Sequence, residues 1–286
     1  RGTEIKSELR FLAPKQNAKI ELNHLPSDDL FNDDRTYSKI NYQFNPSLNT
    51  QIEVSGEYAS DKNYFEDLSQ STNESSRTHL ARDIVFKSFG KNWMMNLGMT
   101  NYQMLDDQPK CLAIDICDQN DPYRLKPYIN FNGNWQSKKS KINLNIDSEL
   151  VFFDHLQSES GERISNRTTL SKLFNFSGIE VRPAVAIDYA KLKPDSNEKD
   201  SDRTIPIYSL DIKANLIKIT NDGVIRRSIQ PRIMAVYIPF EDQSDFPFID
   251  TLMPDFNYFQ LFNENRFIGN DRIGDTSKIS YGIVAK

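Results

Sequence analysis

The chain lacks any long apolar run. Its 286 residues contain no stretch of about 18 consecutive apolar residues, the length that a transmembrane helix requires, so a helical membrane span is excluded. A membrane-crossing strand needs only about 9–11 residues, of which every second one is apolar. The low mean hydropathy of −0.61 therefore leaves a membrane location open, provided that strands cross the membrane.

Residues suited to catalysis are equally few. The three histidines, His24, His79 and His155, each stand alone near a predicted strand end or loop. The sequence has neither a Gly-x-Ser-x-Gly nor a His-Glu-x-x-His element, and a lipid-modifying enzyme would need a nucleophile beside a base. We therefore expect no enzyme, no cofactor and no metal centre. The net charge of −5 argues against a nucleic-acid partner.

Cysteine is nearly absent as well. The two cysteines, Cys111 and Cys117, fall in one long predicted loop. A local disulfide and a pair of free thiols are both compatible with this spacing. A metal site would need more ligands than the nearby Asp115 and Asp118.

The most regular feature of the sequence is an alternation of apolar and polar residues. In residues 141–152 the even positions are apolar except Ser148, and the odd positions up to Glu149 are polar. Successive side chains of a strand point to opposite faces, whereas a helix requires a period near 3.6. The pattern recurs in residues 4–11, 51–58, 124–135, 179–189 and 209–216. We therefore predict about twelve complete strands and one incomplete strand.

The predicted connections between strands alternate between short and long. The short ones are residues 13–17, 45–49, 89–92, 136–140, 175–178 and 220–223, and the long ones are 25–35, 60–77, 105–122, 154–161, 191–203 and 239–278. Tight turns at one rim and long loops at the other are typical of an outer-membrane barrel. We therefore predict an all-β fold, an antiparallel outer-membrane transmembrane β-barrel, to which this chain contributes about 12–13 strands. A soluble sandwich of two sheets would show the same alternation.

Aromatic residues gather near the predicted strand ends. On the long-loop side they are Tyr58, Tyr102, Tyr123, Phe152, Tyr189, Tyr208 and Tyr237, and on the short-turn side they are Phe44, Trp93 and Trp135. Two such belts are expected where a barrel meets the two lipid–water interfaces. The alternative is that these residues are ordinary members of a sheet, since aromatic residues are enriched in strands.

Three prolines lie inside predicted strands, at Pro127, Pro183 and Pro231. Proline cannot donate a hydrogen bond to a neighbouring strand and is normally confined to edges or bulges. Either these strands bulge at the prolines, or the predicted boundaries are wrong.

Two parts of the sequence contain specific motifs. The first is residues 59–69, in which Ser-Asp at a strand end is followed by Tyr-Phe and then Asp-Leu-Ser. The second spans residues 230–275 and includes a Tyr-x-Pro-Phe-x-x-Gln corner and the run Asn-Arg-Phe-Ile-Gly-Asn-Asp-Arg-Ile-Gly-Asp. These motifs resemble those of the LptD family of lipopolysaccharide-assembly proteins, also called organic solvent tolerance proteins, and the resemblance extends over essentially the whole chain.

The resemblance implies a transport role without covalent chemistry. A member of this family would insert lipopolysaccharide into the outer leaflet of the outer membrane, with the sugar part passing through the lumen and the lipid part through a lateral gate. The implied partners are lipopolysaccharide, outer-membrane lipid, the lipoprotein LptE as a plug, and a periplasmic transport bridge that an N-terminal jelly-roll domain contacts. Residues 1–286 are then expected to be one fragment of a β-barrel domain, without the jelly-roll domain and the terminal barrel strands. The alternatives are a porin or receptor-type barrel for small solutes and a soluble β-rich binding module.

Two groups of residues are candidates for this role. The predicted polar face of the strands offers amides suited to hydroxyl-rich sugars, cations suited to phosphates and balancing carboxylates. These substrate-facing candidates are Lys126, Asn130, Asn132, Asn143, Asn145, Asp147, Arg182, Asp211, Lys213 and Arg232. The loops offer candidates for plug contact or loop structure, namely Tyr64, Phe65, Asp67, Arg266, Asp271, Arg272 and Asp275. The apolar content of residues 239–278 predicts that this loop folds back into the lumen or onto other loops or the plug.

Overall fold

The computed structural model describes residues 1–69, 71–105, 122–155, 158–196, 199–219 and 226–285. Cys111, Cys117 and the predicted turn 220–223 lie outside these described residues. The described strands are β1 Ile5–Ala13, β2 Gln16–Asp28, β3 Asp33–Ser47, β4 Thr50–Ala59, β5 His79–Phe89, β6 Trp93–Met104, β7 Arg124–Gln136, β8 Ile142–Asp154, β9 Gly161–Lys172, β10 Phe174–Phe176, β11 Ile179–Pro194, β12 Ser201–Ala214, β13 Leu216–Ile219, β14 Arg226–Ile238 and β15 Thr276–Ala285. The described helices are α1 Tyr64–Leu68, α2 Thr72–Ser75 and α3 Tyr258–Leu261. Within the described ranges, no helix has the length and apolar character needed to cross a membrane.

The chain divides into two compact units. Unit 1 comprises residues 1–130, 151–162 and 194–196, and unit 2 comprises residues 131–150, 163–193 and 197–286. In unit 1, β1 to β6 pair antiparallel in chain order. In unit 2, β11, β12, β14 and β15 pair antiparallel in that order, while β10 adds to β11 and β13 adds to β14. The predicted antiparallel all-β fold is confirmed.

The two faces of the strands differ in chemistry, and the apolar face is the exposed one. Along β11, Ala186 and Asp188 are buried, whereas the intervening Ile187 is 53% exposed. In β14, Ile233 is likewise 49% exposed. Strands of unit 1 behave similarly: Ile84 in β5 is exposed, and in β6 the exposed Met99 precedes the buried Thr100. A soluble domain buries such residues, so a continuous exposed apolar face marks a surface that contacts another apolar phase.

The buried apolar clusters lie where loops pack against strands. In unit 1, the loop of residues 60–78, which contains α1 and α2, packs onto strand residues through Tyr37, Ala59, Tyr64, Phe65, Leu80 and Leu105. In unit 2, residues 239–275, called here the long segment, contribute Phe262 and Ile273 to a cluster with Ala186, Ile205, Ile207, Met234, Val236 and Ile238. The loops are therefore packed parts of the fold.

Two predicted long connections are shorter in the structure than predicted. Residues 25–35 do not form a long loop, because β2 continues to Asp28 and β3 begins at Asp33. The pairing register shifts between Leu25 and Asp28, which interrupts the alternation on which the prediction rests. The predicted loop 191–203 is shorter because both strands extend into it: β11 reaches Pro194 and β12 begins at Ser201.

Pro183 and Pro231 show neither of the two predicted alternatives in the strand pairings that the structure describes. Pro183 pairs with Leu210 and Pro231 pairs with Ile283, and both registers continue without a shift on either side. Pro127 lies within β7. These strands therefore run through their prolines.

Candidate functional site

The amide candidates of β7 and β8 form a ladder of polar side chains in unit 2. The side-chain amide of Asn132 donates to Asp147 Oδ1 at 2.7 Å, and the amide of Asn145 donates to Asp147 Oδ2. Asn134 donates to Asn145 Oδ1 at 3.4 Å. The two cross-strand pairs, Asn132–Asp147 and Asn134–Asn145, are of the kind that stabilises a sheet.

The cationic candidates of β12 and β14 are neutralised by carboxylates on neighbouring strands. Arg232 donates from Nε and Nη2 to the two oxygens of Asp211, at 2.8 and 3.1 Å. Lys213 Nζ lies 3.0 Å from Glu180 Oε2. Both cations at this end of the polar face of unit 2 are therefore paired with carboxylates.

The remaining substrate-facing candidates are more scattered. In unit 1, Lys126 Nζ donates to Asp154 Oδ2 at 2.7 Å. Asn130 in unit 1 and Asn143 in unit 2 are half-buried, and Arg182 in unit 2 is exposed. Their location on the polar faces remains the reason to consider them.

Arg163 of β9 fixes the long segment to the strands of unit 2. Its side chain is only 1% exposed and contacts three carboxylates. Glu149 Oε1 and Asp250 Oδ2 each lie 2.5 Å from Arg163 Nη2, and Asp271 contacts Nη1. Burial would raise the pKa of the Asp250 carboxyl, but the Arg163 guanidinium outweighs this and holds that pKa below its ordinary value.

Asp271 also organises the backbone of the long segment. Its Oδ2 accepts the backbone N–H groups of Ile249, at 2.8 Å, and of Asp250, at 2.7 Å. The backbone N–H of Asn270 donates to Asp250 Oδ1 at 3.1 Å. Gly269 has a φ of +87°, and a Cβ there would lie 2.4 Å from the carbonyl oxygen of Asp250. Two distant parts of the segment, 249–250 and 269–271, are thereby held together.

A second attachment of the long segment lies around Phe262. Arg232 of β14 stacks over the Phe262 ring with its Cζ 4.4 Å from the ring centroid. Glu264 contacts Arg167 and accepts a hydrogen bond of 2.6 Å from the Ser209 hydroxyl. Strand residues from β9, β12 and β14 therefore hold this part of the segment.

The other predicted residues of the long segment have mixed surroundings. Arg272 donates to the carbonyl oxygen of Gln243 at 2.8 Å. Arg266 stacks over Phe267 with its Cζ 4.8 Å from the ring centroid. Asp275 is exposed. Of the four predicted residues, Asp271 therefore has the ion pair that anchors the segment.

A separate cluster in unit 1 is organised by Arg35 of β3, whose side chain is fully buried. Its guanidinium donates to both oxygens of Asp61, at 2.9 and 2.6 Å, to Asp67 Oδ2 at 2.8 Å and to Asp28 Oδ2 at 3.2 Å. Arg1 adds contacts of 3.0 Å to Asp28 and 3.2 Å to Asp67. Asp61 and Asp67 belong to the loop 60–78, so this cluster ties that loop to β2 and β3.

The predicted Tyr64, Phe65 and Asp67 meet in this cluster. Tyr64 and Phe65 pack on Tyr37 with ring centroids 5.8 and 5.1 Å away, and the Tyr64 hydroxyl donates to Glu4 at 3.1 Å. Burial would raise the pKa of the Asp67 carboxyl, but hydrogen bonds from the two arginines outweigh this and lower it. Asp67 therefore stays ionised at neutral pH and keeps the loop attached.

Sequence reasoning did not single out Arg35 or Arg163, the centres of the two clusters. Arg35 lies at the end of the predicted loop 25–35 and Arg163 lies in a predicted strand, and a buried cation requires carboxylate partners. The acidic loops supplied candidate partners, but their pairing with a particular strand could not be deduced. No group of three or more His, Cys, Asp or Glu side chains among the described residues is arranged to hold a metal ion.

Comparisons with known proteins agree on one family. The family model described as "LptD: LPS transport system D" matches residues 33–286. Proteins named LPS-assembly protein LptD match the whole chain. Identity is 28% for the protein of Aromatoleum aromaticum, 26% for that of Shewanella denitrificans and 28% for that of Chromobacterium violaceum. The chain spans 36%, 38% and 37% of the lengths of these three relatives.

The match is consistent along the chain. The family model covers β3 to β15, and the three relatives align from the first residue to the last. The predicted family is confirmed, and the chain belongs to the LptD family of LPS transport proteins.

Proposed function

We propose that the protein to which this chain belongs assembles lipopolysaccharide in the outer membrane. The relatives carry this function in their names, as LPS-assembly proteins. Family membership together with the antiparallel all-β fold gives an outer-membrane location. In this proposal the chain contributes strands to a translocation pathway and performs no covalent chemistry.

The observation that carries the proposal is the distribution of residues between the two faces of unit 2. Ile187 and Ile233 are exposed on one face, while Asn132, Asn145 and Asp147 form a hydrogen-bonded polar ladder on the other. A lipid phase would cover the first face, and the second would remain wet. Such a wall can pass the sugar part of a glycolipid while keeping its own polar groups satisfied.

The paired charges of the polar face favour weak, reversible binding of a passing ligand over tight binding. Asp211 and Glu180 already neutralise Arg232 and Lys213, so a phosphate must compete with a carboxylate for each cation. Competition of this kind keeps binding weak and allows release. The acyl chains would leave through a lateral gate of the complete barrel.

The partners in this proposal are the lipoprotein LptE and a periplasmic transport bridge. The long segment is the part of the chain suited to contact with a plug, because Phe256 and Phe259 are exposed on it while Phe262 and Asp271 fix it to the strands. The bridge would contact a jelly-roll domain of the same protein.

Photo-crosslinking in living cells tests the function. A photoreactive residue is placed in the full-length protein at Asn145 on the polar face, and in a matched strain at Ile142, which is exposed on the apolar face of the same strand. We expect glycolipid adducts at Asn145 that disappear when upstream lipopolysaccharide transport is stopped. At Ile142 we expect membrane phospholipid adducts that do not depend on that transport.

One outcome of this experiment would contradict the proposed function. If Asn145 gives no glycolipid adduct in a correctly inserted protein while Ile142 labels phospholipid, the polar face is not part of a lipopolysaccharide path. A barrel for small solutes would then be the better explanation, and ion conductance through the purified protein would support it.

A further inference from the structure

Unit 2 contains a cavity of about 330 Å³ at the end of the polar face where β11 begins and β12 ends. Strands β11, β12, β14 and β15 and helix α3 contribute to its walls. The side chains that determine its chemistry are Lys213, Arg232, Asn215, Gln230, Glu180 and Tyr258. A volume of this size can hold one sugar ring with a substituent.

The cavity offers two cations whose present partners can be replaced. Lys213 is about half exposed, and its partner Glu180 is also accessible. Arg232 uses Nε and Nη2 for Asp211, so within the described part of the chain its Nη1 is available to a further acceptor. Arginine and lysine together are a common pair for binding phosphate, one through its planar fork and the other as a point charge.

The other walls suit a sugar. Gln230 Nε2 donates to Asn215 Oδ1 at 3.2 Å, which leaves the Asn215 amide donor and the Gln230 carbonyl for hydroxyl groups of a ligand. Tyr258 adds an aromatic ring and a hydroxyl. A cavity that combines two amides, an aromatic ring and two cations matches a phosphorylated sugar better than an apolar ligand.

The docked long segment completes the cavity. Tyr258 lies in α3, and a Cβ at Gly282 of β15 would be 3.1 Å from the rings of Tyr258 and Phe262. The absence of a side chain at Gly282 therefore lets α3 approach the strand. Without this approach, the cavity would lose its aromatic wall.

We propose that this cavity is a binding subsite for a phosphorylated sugar, with Lys213 and Arg232 binding the phosphate and Asn215, Gln230 and Tyr258 contacting the ring. This inference rests on the proposed function, because the phosphorylated sugar portion of a glycolipid is the ligand of that chemistry that would travel along the polar face. Glu180 and Asp211 keep the subsite weak, as passage through it requires.

The test is photo-crosslinking in living cells with the full-length protein. The photoreactive residue replaces Val284, which lines the cavity without a polar side chain. We expect a glycolipid adduct at position 284, and an adduct yield about tenfold lower in Lys213→Gln, as expected for loss of one charge-assisted hydrogen bond. Arg232→Gln in the same background should lower it further. Lys213→Arg should preserve it.

Lys191→Gln is the matched control. Lys191 lies on β11 near the other end of the strand and forms an ion pair of 2.8 Å with Asp200, with 43% exposure of both side chains. It does not line the cavity, so the adduct at 284 should be unchanged. A yield that falls equally in Lys191→Gln and Lys213→Gln would overturn the subsite, because the effect would then be one of general charge.

Competition with the purified full-length protein identifies the ligand chemistry. Glucosamine 1-phosphate should suppress the adduct with added lipopolysaccharide at concentrations at which glucosamine and inorganic phosphate do not. Equal suppression by glucosamine would overturn the role of the phosphate, and equal suppression by inorganic phosphate would overturn recognition of the sugar. Adducts at Asn145 but none at 284 would overturn the subsite and leave the proposed function standing, whereas adducts at neither position would overturn both.

Discussion

The two buried arginines show how single residues hold loops onto strands. Arg35 in unit 1 and Arg163 in unit 2 each contact three carboxylates, and neither side chain is more than 1% exposed. Arginine suits this position because its planar group carries five donors in a fixed arrangement and stays charged. A buried charge of this kind stabilises a fold only when its partners are present.

We predict that Arg163→Met releases the long segment. The substitution leaves Glu149, Asp250 and Asp271 without their cation, and removal of one partner from a buried ion pair costs about 3–5 kcal/mol. Limited proteolysis of the full-length protein should therefore cut within residues 239–275 much faster. The control is Arg182→Met, at an exposed arginine of the neighbouring strand β11. The protease should cut this variant at the same rate as the unsubstituted protein. Equal rates for the two variants would contradict an anchoring role.

The residues of this anchor could be predicted only in part. Asp271 lies in a recognisable motif, and its acidic side chain predicts a cationic partner. The partner itself, Arg163, is 108 residues away in the sequence, and several strands in between offer other cations. Pairing across such a separation depends on strand register and on the path of the long segment, which local sequence patterns do not determine.

At the scale of an element, α3 shows how a short helix can position one anchoring side chain. Asn257 caps it by accepting the backbone N–H groups of Phe259, at 2.9 Å, and Gln260, at 3.2 Å. Phe262 follows the helix and is 6% exposed, whereas Phe259 is 78% exposed. Four residues cannot form a stable helix alone, so α3 depends on this packing.

We predict that Phe262→Ala destabilises the long segment and that Phe259→Ala does not. Phe262→Ala opens a cavity beside Met234 and Val236 and should destabilise the docked segment by about 3–5 kcal/mol, whereas Phe259→Ala removes a ring that is already exposed and should be close to neutral. Hydrogen exchange of the backbone amides of α3 in the full-length protein measures the difference. Comparable protection in both variants would show that Phe262 does not hold the segment.

Element prediction from sequence succeeded where alternation is strict. In β11 and β12 exposed apolar residues such as Val185, Ile187 and Leu210 alternate with residues of the other face as predicted, because a period of two is a property of every strand. It failed between Leu25 and Arg35, where a register shift breaks the period and acidic residues resemble a loop. Bulges of this kind are set by pairing with a neighbour and leave little trace in the sequence of one strand.

At the scale of the whole molecule, the pairing register of the strands determines which side chains lie on the apolar face and which lie on the polar face. A slip of one residue would exchange the faces, placing Ile187 and Ile233 among the paired charges. The continuous registers of β11, β12, β14 and β15 keep these residues on one side of unit 2 over the length of each strand. The apolar face thus depends on the pairing of the strands. Whether lipid or water contacts this face can be tested directly.

We predict that Ile187→Arg destabilises the full-length protein in a lipid bilayer. Ile187 lies near the middle of β11 on the exposed apolar face, and a charge facing lipid near the bilayer midplane costs about 2–4 kcal/mol. The control is Asn143→Arg, which places the same charge on the polar face of β8 and should change stability little. The urea concentration at the midpoint of unfolding in lipid vesicles measures both. If the apolar face met water, Ile187→Arg would fall within about 0.5 kcal/mol of the parent, as surface substitutions do, and a soluble β-rich module would become the better description.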